Sequence, residues 1–236
     1  MAHLSVKQVR HFLRLGRNAL RVLGKPKIFC VGVNKTGTTS LAKALAELGI
    51  IVGEQNLAER LIHDWARRDF RRLFWVCRTA QAFQDVPFSW DFTFQALDQH
   101  FWGSKFILTV RDNPEQWYAS TLSFHAKIFG NGETVTLDDL RRADYVYPGW
   151  TYETIRLCWN TPDDDLYNKE MVIASYNAHN NAVLEYFRHR PQDLLVLNVS
   201  QPGAYHNLCD FLGKPFPNTE FPWENKTADL KTHTRQ

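Results

Sequence analysis

Lys35 stands two residues before Gly37 in the stretch KIFCVGVNKTGTTSLAKALAELG, which occupies residues 27–49. Thr38, Thr39 and Ser40 follow the glycine directly. An apolar run that ends at a glycine-containing loop and passes into a helix presents backbone N–H groups and a helix N-terminus. That arrangement attracts phosphate or sulfate. The three hydroxyls add donors, Lys35 adds a full positive charge, and Gly37 lets the backbone approach an anion closely. The common nucleotide loop places its lysine after the second glycine, directly before Ser or Thr. Here the lysine comes early, which fits poorly with Mg-dependent ATP or GTP hydrolysis. Asp112 follows an apolar strand, as a magnesium-holding carboxylate would, but it sits against Arg111.

Alternating strand and helix patterns surround this loop. Residues 27–33 read as a buried strand and 38–48 as a helix that stops at Gly49. Residues 50–53 and 80–87 are candidate second and third strands, the latter broken by Pro87. Residues 56–74 and 90–101 read as helices, 104–112 as a strand, and Asn113-Pro114 as the start of a helix reaching His125. Residues 171–190 are helical, 193–200 form the last strand, and 204–212 form a short helix capped by Gly213. Residues 126–168 are irregular and rich in aromatics, with the character of an insertion that covers a site. The tail from Lys214 is punctuated by prolines. The expected fold class is α/β: one domain, residues 25–236, with a central parallel sheet flanked by helices.

The chain has 236 residues and a net charge of +3, with 28 basic and 25 acidic residues. Seven basic residues and no acid lie in residues 1–27, which leaves the remainder with a net charge of −4. The body is therefore not a basic nucleic-acid binder. Residues 1–24 form a separate basic amphipathic helix, with Arg10, Arg14, Arg17 and Arg21 at helical spacing. Val9, Phe12, Leu13, Leu20 and Leu23 supply its apolar side. Two roles stay open for residues 5–23: a surface helix packed on the domain, or one that meets a membrane surface or a partner. Cys30, Cys77, Cys158 and Cys209 are too widely spaced for a zinc site and read as free thiols. No run long enough to span a bilayer occurs. Sequons at Asn34, Asn198 and Asn225 fall where glycans would be hard to fit. These points favour a cytoplasmic location, with peripheral membrane contact open.

GVNKTGTTSL resembles the 5′-phosphosulfate loop of sulfotransferases that use 3′-phosphoadenosine 5′-phosphosulfate (PAPS). FILTVRDNPEQWYAST resembles the family's second element, a strand ending in an arginine followed by a helix carrying a serine. YNAHNNAVLEYF and LLVLNVSQPGAYHNLCDFLGKPFP resemble the late helix, strand and FLG segment. The likeness spans roughly residues 27–225. It implies a P-loop-like fold, PAPS as donor and no metal. It also implies that Asn34, Lys35, Thr36, Gly37, Thr38, Thr39 and Ser40 hold the 5′ end and that Arg111 and Ser120 hold the 3′-phosphate. Ser120 lies nine residues after Arg111, one further than the family's usual spacing, and Thr121 is its neighbour.

The resemblance also implies a proton acceptor and a leaving-group cation, the latter Lys35. Where cytosolic members carry a His-x-Pro turn, this chain reads FQDVPF, so Asp85 is the first candidate base. Glu54, soon after the loop, and His125, after Arg111, are the others. The function expected is transfer of a sulfuryl group to an acceptor hydroxyl on a carbohydrate or small molecule, with 3′-phosphoadenosine 5′-phosphate (PAP) as product. A nucleotide-binding module without transfer activity and a small-molecule kinase stand as alternatives.

Overall fold

The computed structural model describes residues 5–217 and 219–222. Among the described residues the sheet has four strands: β1 (Ile28–Cys30), β2 (Ala82–Phe83), β3 (Lys105–Thr109) and β4 (Leu194–Leu197). Their order is β2-β1-β3-β4, and all are parallel. Strands covered on both faces are apolar throughout instead of alternating, which is why β1 and β3 stand out in the sequence. Phe29 pairs with Phe83 and Phe106. These rings face a core completed by Leu73, Val76, Phe94, Leu97 and Phe187. Ile28, Cys30 and Ile107 face the opposite core, with Leu41, Leu45, Tyr205 and Leu208.

Helices fill both faces. In chain order they are α1 (Val6–Arg21), α2 (Thr38–Glu47), α3 (Gln55–Glu59), α4 (Ile62–Ala66), α5 (Arg71–Val76) and α6 (Thr93–His100). Then follow α7 (Pro114–Phe129), α8 (Leu137–Arg142), α9 (Trp150–Trp159), α10 (Lys169–Phe187) and α11 (Ala204–Leu212). Local chemistry sets several ends. Asn113 caps α7 by accepting from Gln116 N–H at 2.8 Å, with Pro114 in the first turn. Gly213, at φ 60°, ends α11.

Two expectations need correction. Residues 50–53 are not a strand: Val52 makes one parallel bridge to Ala82, and Gly53 lies close against the Phe83 ring. Residues 56–74 are not one helix. Breaks at Arg60-Leu61 and after Arg67, with Arg68 at φ 60°, divide them among α3, α4 and α5. The apolar side of α1 is not packed on the domain. Leu15 and Val22 make that contact, and Val9, Phe12, Leu13, Leu20 and Leu23 are exposed. The predicted tail is described only to Pro222, and Asn225 lies outside the described residues.

From β1 the chain crosses to β2 on one side, then returns to β3 on the other. The loops after β1 and β3 therefore part at the carboxyl end of the sheet, where open α/β folds bind ligands. Gly32 and Thr109 meet at this point. A Cβ on Gly32 would collide with the Thr109 hydroxyl and with its backbone N and O. Gly32→Ala is expected to destabilise the fold by about 1–3 kcal/mol, the usual cost of overpacking a tight site. Urea denaturation measures this as a lower midpoint at unchanged slope. A midpoint equal to wild type would show that the two strand ends are not locked together.

Candidate active site

The loop between β1 and α2 is shaped by side chains that hold its carbonyls. Thr36 Oγ1 donates to the Val33 carbonyl at 2.5 Å and lies 2.6 Å from Thr109 Oγ1. Trp117 Nε1–H donates to the Asn34 carbonyl at 2.8 Å, and Arg111 Nε–H to the Lys35 carbonyl at 2.7 Å. The backbone N–H groups of Lys35, Thr36, Gly37 and Thr38 make no hydrogen bond among the described residues. Lys35 at φ 70° and Gly37 at φ 102° place left-handed residues on either side of Thr36, the curl that gathers N–H groups into an anion nest. The N-cap of α2 is Gly37, which has no side chain to cap the helix, so the positive end of the helix dipole faces the loop.

The loop borders a cavity of about 370 Å³ that also takes its walls from α3, α7, α9 and the Asp85 turn. Asn34, Lys35, Gly37, Thr38, Thr39, Ser40, Arg111, Asp85 and His125 all line it. Thr36 is buried beneath the loop as its brace. The Lys35 ammonium lies 3.6 Å from the centre of the Phe124 ring. Burial, and then the charge of Arg111, lower the Lys35 pKa to about 8. Arg111 does not pair with Asp112. That carboxylate turns outward to Asn198, Gln201 and Gln116 at 2.7–2.9 Å. The Arg111 Nη atoms make no hydrogen bond among the described residues.

Asp85 lies two residues beyond the end of β2, on a left-handed backbone at φ 67°. Its carboxyl is buried and accepts from Val86 N–H at 2.8 Å. Burial raises its pKa, while hydrogen bonds from Val86, Asn34 and Gln55 and the charge of Lys35 oppose the rise. Close by stands a residue that the sequence pattern did not single out. Glu59, on α3, is buried on the cavity wall and accepts from Gln55 Nε2 at 2.6 Å. Burial, reinforced by the Asp85 charge, raises its pKa to about 7. Nothing local marks it, because a glutamate in a short helix ordinarily faces water.

The remaining candidates fall differently. Glu54 is not on the cavity wall: it receives Arg14 of α1 at 2.6 Å, with His11 at 3.6 Å. His125 is on the wall, with Nδ1 2.7 Å from the Tyr167 hydroxyl. Burial and the Lys35 charge lower its pKa to about 3. Ser120 is half-buried and off the wall, whereas Thr121 lines the cavity with its hydroxyl buried and without a hydrogen-bond partner among the described residues. His179 also borders the cavity, but both ring nitrogens are engaged. Nε2–H donates to the Val31 carbonyl at 2.7 Å, and Nδ1 lies 2.9 Å from Asp91.

Glu59 generates a stability prediction. Below its ordinary value of 4.5 it is protonated folded or unfolded, and its burial carries no charge penalty. The penalty grows as pH rises from 4.5 to about 7 and is complete above that. Glu59→Gln, which cannot ionise, is expected to raise Tm by roughly a few degrees at alkaline pH and to leave it unchanged below the ordinary glutamate value of 4.5. Thermal denaturation across that range checks it. An increase of equal size at every pH would mean that the gain comes from packing and not from charge.

Residues 27–230 match the family model described as the sulfotransferase domain. No match to a curated protein was found. The matched span takes in all four described strands, the loop, Arg111 and the two buried cavity carboxyls, Glu59 and Asp85, and covers most of the chain. The chain belongs to the sulfotransferase family and is a sulfuryl-transferring enzyme.

Proposed function

We propose that the protein transfers a sulfuryl group from PAPS to the hydroxyl of a compact acceptor, a carbohydrate or other small molecule, and releases PAP. The observation that carries this reading is the loop with its carbonyls tied off, unpaired N–H groups and a lysine at the cavity edge. PAPS supplies an activated sulfuryl group on a phosphate leaving group. Its 5′ end suits the N–H groups of residues 35–38, the hydroxyls of Thr38, Thr39 and Ser40, and Lys35. Its 3′-phosphate suits the Arg111 Nη atoms, with Thr121 or Ser120 as hydroxyl partner. The unpaired, buried Thr121 hydroxyl supports the first of these.

In this reading Asp85 takes the proton of the acceptor hydroxyl. Burial raises its pKa and makes it a stronger base than an exposed aspartate, while Lys35 and three hydrogen bonds keep its charged form accessible. His125, with a pKa of about 3, is a poor base for an alcohol, and its Nδ1 is committed to Tyr167. Glu54 is tied to α1. Lys35 keeps its proton and sets positive charge where negative charge develops on the leaving oxygen. Trp65, Trp90, Tyr145 and Trp150 on the wall supply flat apolar faces for the acceptor. The cavity volume fits a compact molecule, and residues 126–168 serve as its cover. The four free cysteines support a reducing, cytoplasmic setting.

Thermal shift tests the donor. PAP is expected to stabilise the wild type more than adenosine 5′-phosphate or Mg-ATP does. Arg111→Ala is expected to weaken both adenosine ligands and to shrink the preference for PAP, because the 3′-phosphate loses a charge-assisted partner. Equal loss for both would assign Arg111 to loop support alone.

The pH dependence of kcat/KM tests the chemistry. Lys35 must be protonated, so the rate is expected to fall as pH rises through about 8. Asp85 must be ionised, so the rate is expected to fall toward acid. Asp85→Asn is expected to lower turnover by about 10²-fold or more and to remove that acid limb while PAP affinity holds. Preserved turnover with lowered stability would make Asp85 a turn former.

A further inference from the structure

We propose that α1 is an interfacial helix that lays its outward face on an anionic lipid surface. The helix is fastened to the body along one side. Leu15 and Val22 are buried, Arg14 donates to Glu54 at 2.6 Å, and Arg14, Leu15 and Asn18 border a small gap over Val52 and Ala80. These positions recur at helical spacing and define the inner face. The opposite face carries Val6, Val9, Leu13 and Leu20 in one row, with Phe12 and Leu23 on its flank. All six are between 43 % and 80 % exposed. A helix that only covers a domain turns its apolar row inward. Here the larger apolar row points away from the protein, which marks a contact surface.

Charge selects the occupant. Arg10, Arg17 and Arg21 form the row beside the apolar one, and the first 27 residues carry seven basic groups and no acid. The rest of the chain has a net charge of −4, so an anionic surface attracts this face and repels the body. A second copy is a poor occupant, because it would bring two basic rows together. An apolar row beside a basic row is the pattern of a helix lying at the headgroup boundary. No described helix is long and apolar enough to cross a membrane, so the contact is peripheral. Ser5 and Gln8 close a capping box at the start of α1, which fixes the helix before any surface is met and lowers the ordering cost of binding. The inference is independent of the acceptor and of the proposed base.

Co-sedimentation of the full chain with vesicles tests it. Binding is expected to phosphatidylcholine vesicles containing about 30 % phosphatidylserine, far less to phosphatidylcholine alone, with release in about 0.5 M salt. Leu13→Asp with Leu20→Asp is expected to weaken binding at least about ten-fold, with Tm and sulfuryl transfer to a soluble acceptor unchanged. Arg10→Gln and Arg17→Gln are each expected to weaken it about five-fold. Leu13→Gln with Leu20→Gln repeats the test with little disturbance of the helix. Three outcomes overturn the inference. The wild type stays in solution with both vesicle types. The substitutions leave binding unchanged. Or sedimentation equilibrium finds a dimer that Leu13→Asp dissolves, with no vesicle binding.

Discussion

The site rests on the disposal of backbone carbonyls. A loop can turn several N–H groups toward one point only if its carbonyls find partners elsewhere, since a buried unpaired carbonyl is costly. Here the Val31, Val33, Asn34 and Lys35 carbonyls accept from His179, Thr36, Trp117 and Arg111. Each donor comes from a different element or from the loop itself. Trp117 stacks on Tyr176 of α10 at 4.5 Å, and the Tyr176 hydroxyl accepts from the Arg111 backbone N–H at 3.3 Å. The positions of α7 and α10, and the close contact of Gly32 with Thr109, follow from this one requirement.

The electrostatics are balanced around the same loop. Two buried carboxyls, Asp85 and Glu59, share the cavity wall with Lys35 and Arg111. Burial moves all four toward their neutral forms. Asp85 and Lys35 each favour the charged state of the other, while Arg111 opposes the charge on Lys35 and Asp85 opposes the charge on Glu59. Lys35 and Asp85 both hold left-handed backbones, a conformation that costs a non-glycine residue on the order of 1 kcal/mol and persists where surroundings enforce it.

The α/β class was legible, and the loop after β1 and Arg111, which line one cavity, stood out because each has a local signal. An apolar run meets a glycine, or a strand ends in an arginine before Asn-Pro. Elements set by tertiary contact were less legible. Residues 50–53 have the composition of a strand, but the close packing of Gly53 on Phe83 leaves one bridge. Glu54 had a plausible distance from the loop in sequence, and only the docking of α1 shows where it faces. Glu59 was missed because its burial depends on α3 being pressed beneath Trp150, whose indole N–H donates to the Glu59 carbonyl at 3.0 Å. The apolar side of α1 is legible as a pattern, but a pattern does not say which side meets the protein.

The donors that shape the loop lie far along the chain. Thr109, Arg111 and Trp117 act across 73 to 83 positions, and His179 across 148. Every strand pairing is parallel and requires a crossover. Contacts this distant form late, because the entropy of closing the chain must be met first. On the ribosome, residues 32–37 emerge with Thr36 but without Arg111 and Trp117, and the Asn34 and Lys35 carbonyls lack those donors until α7 has been made. An N-terminal fragment ending before Arg111 has the glycine motif in full and no nest.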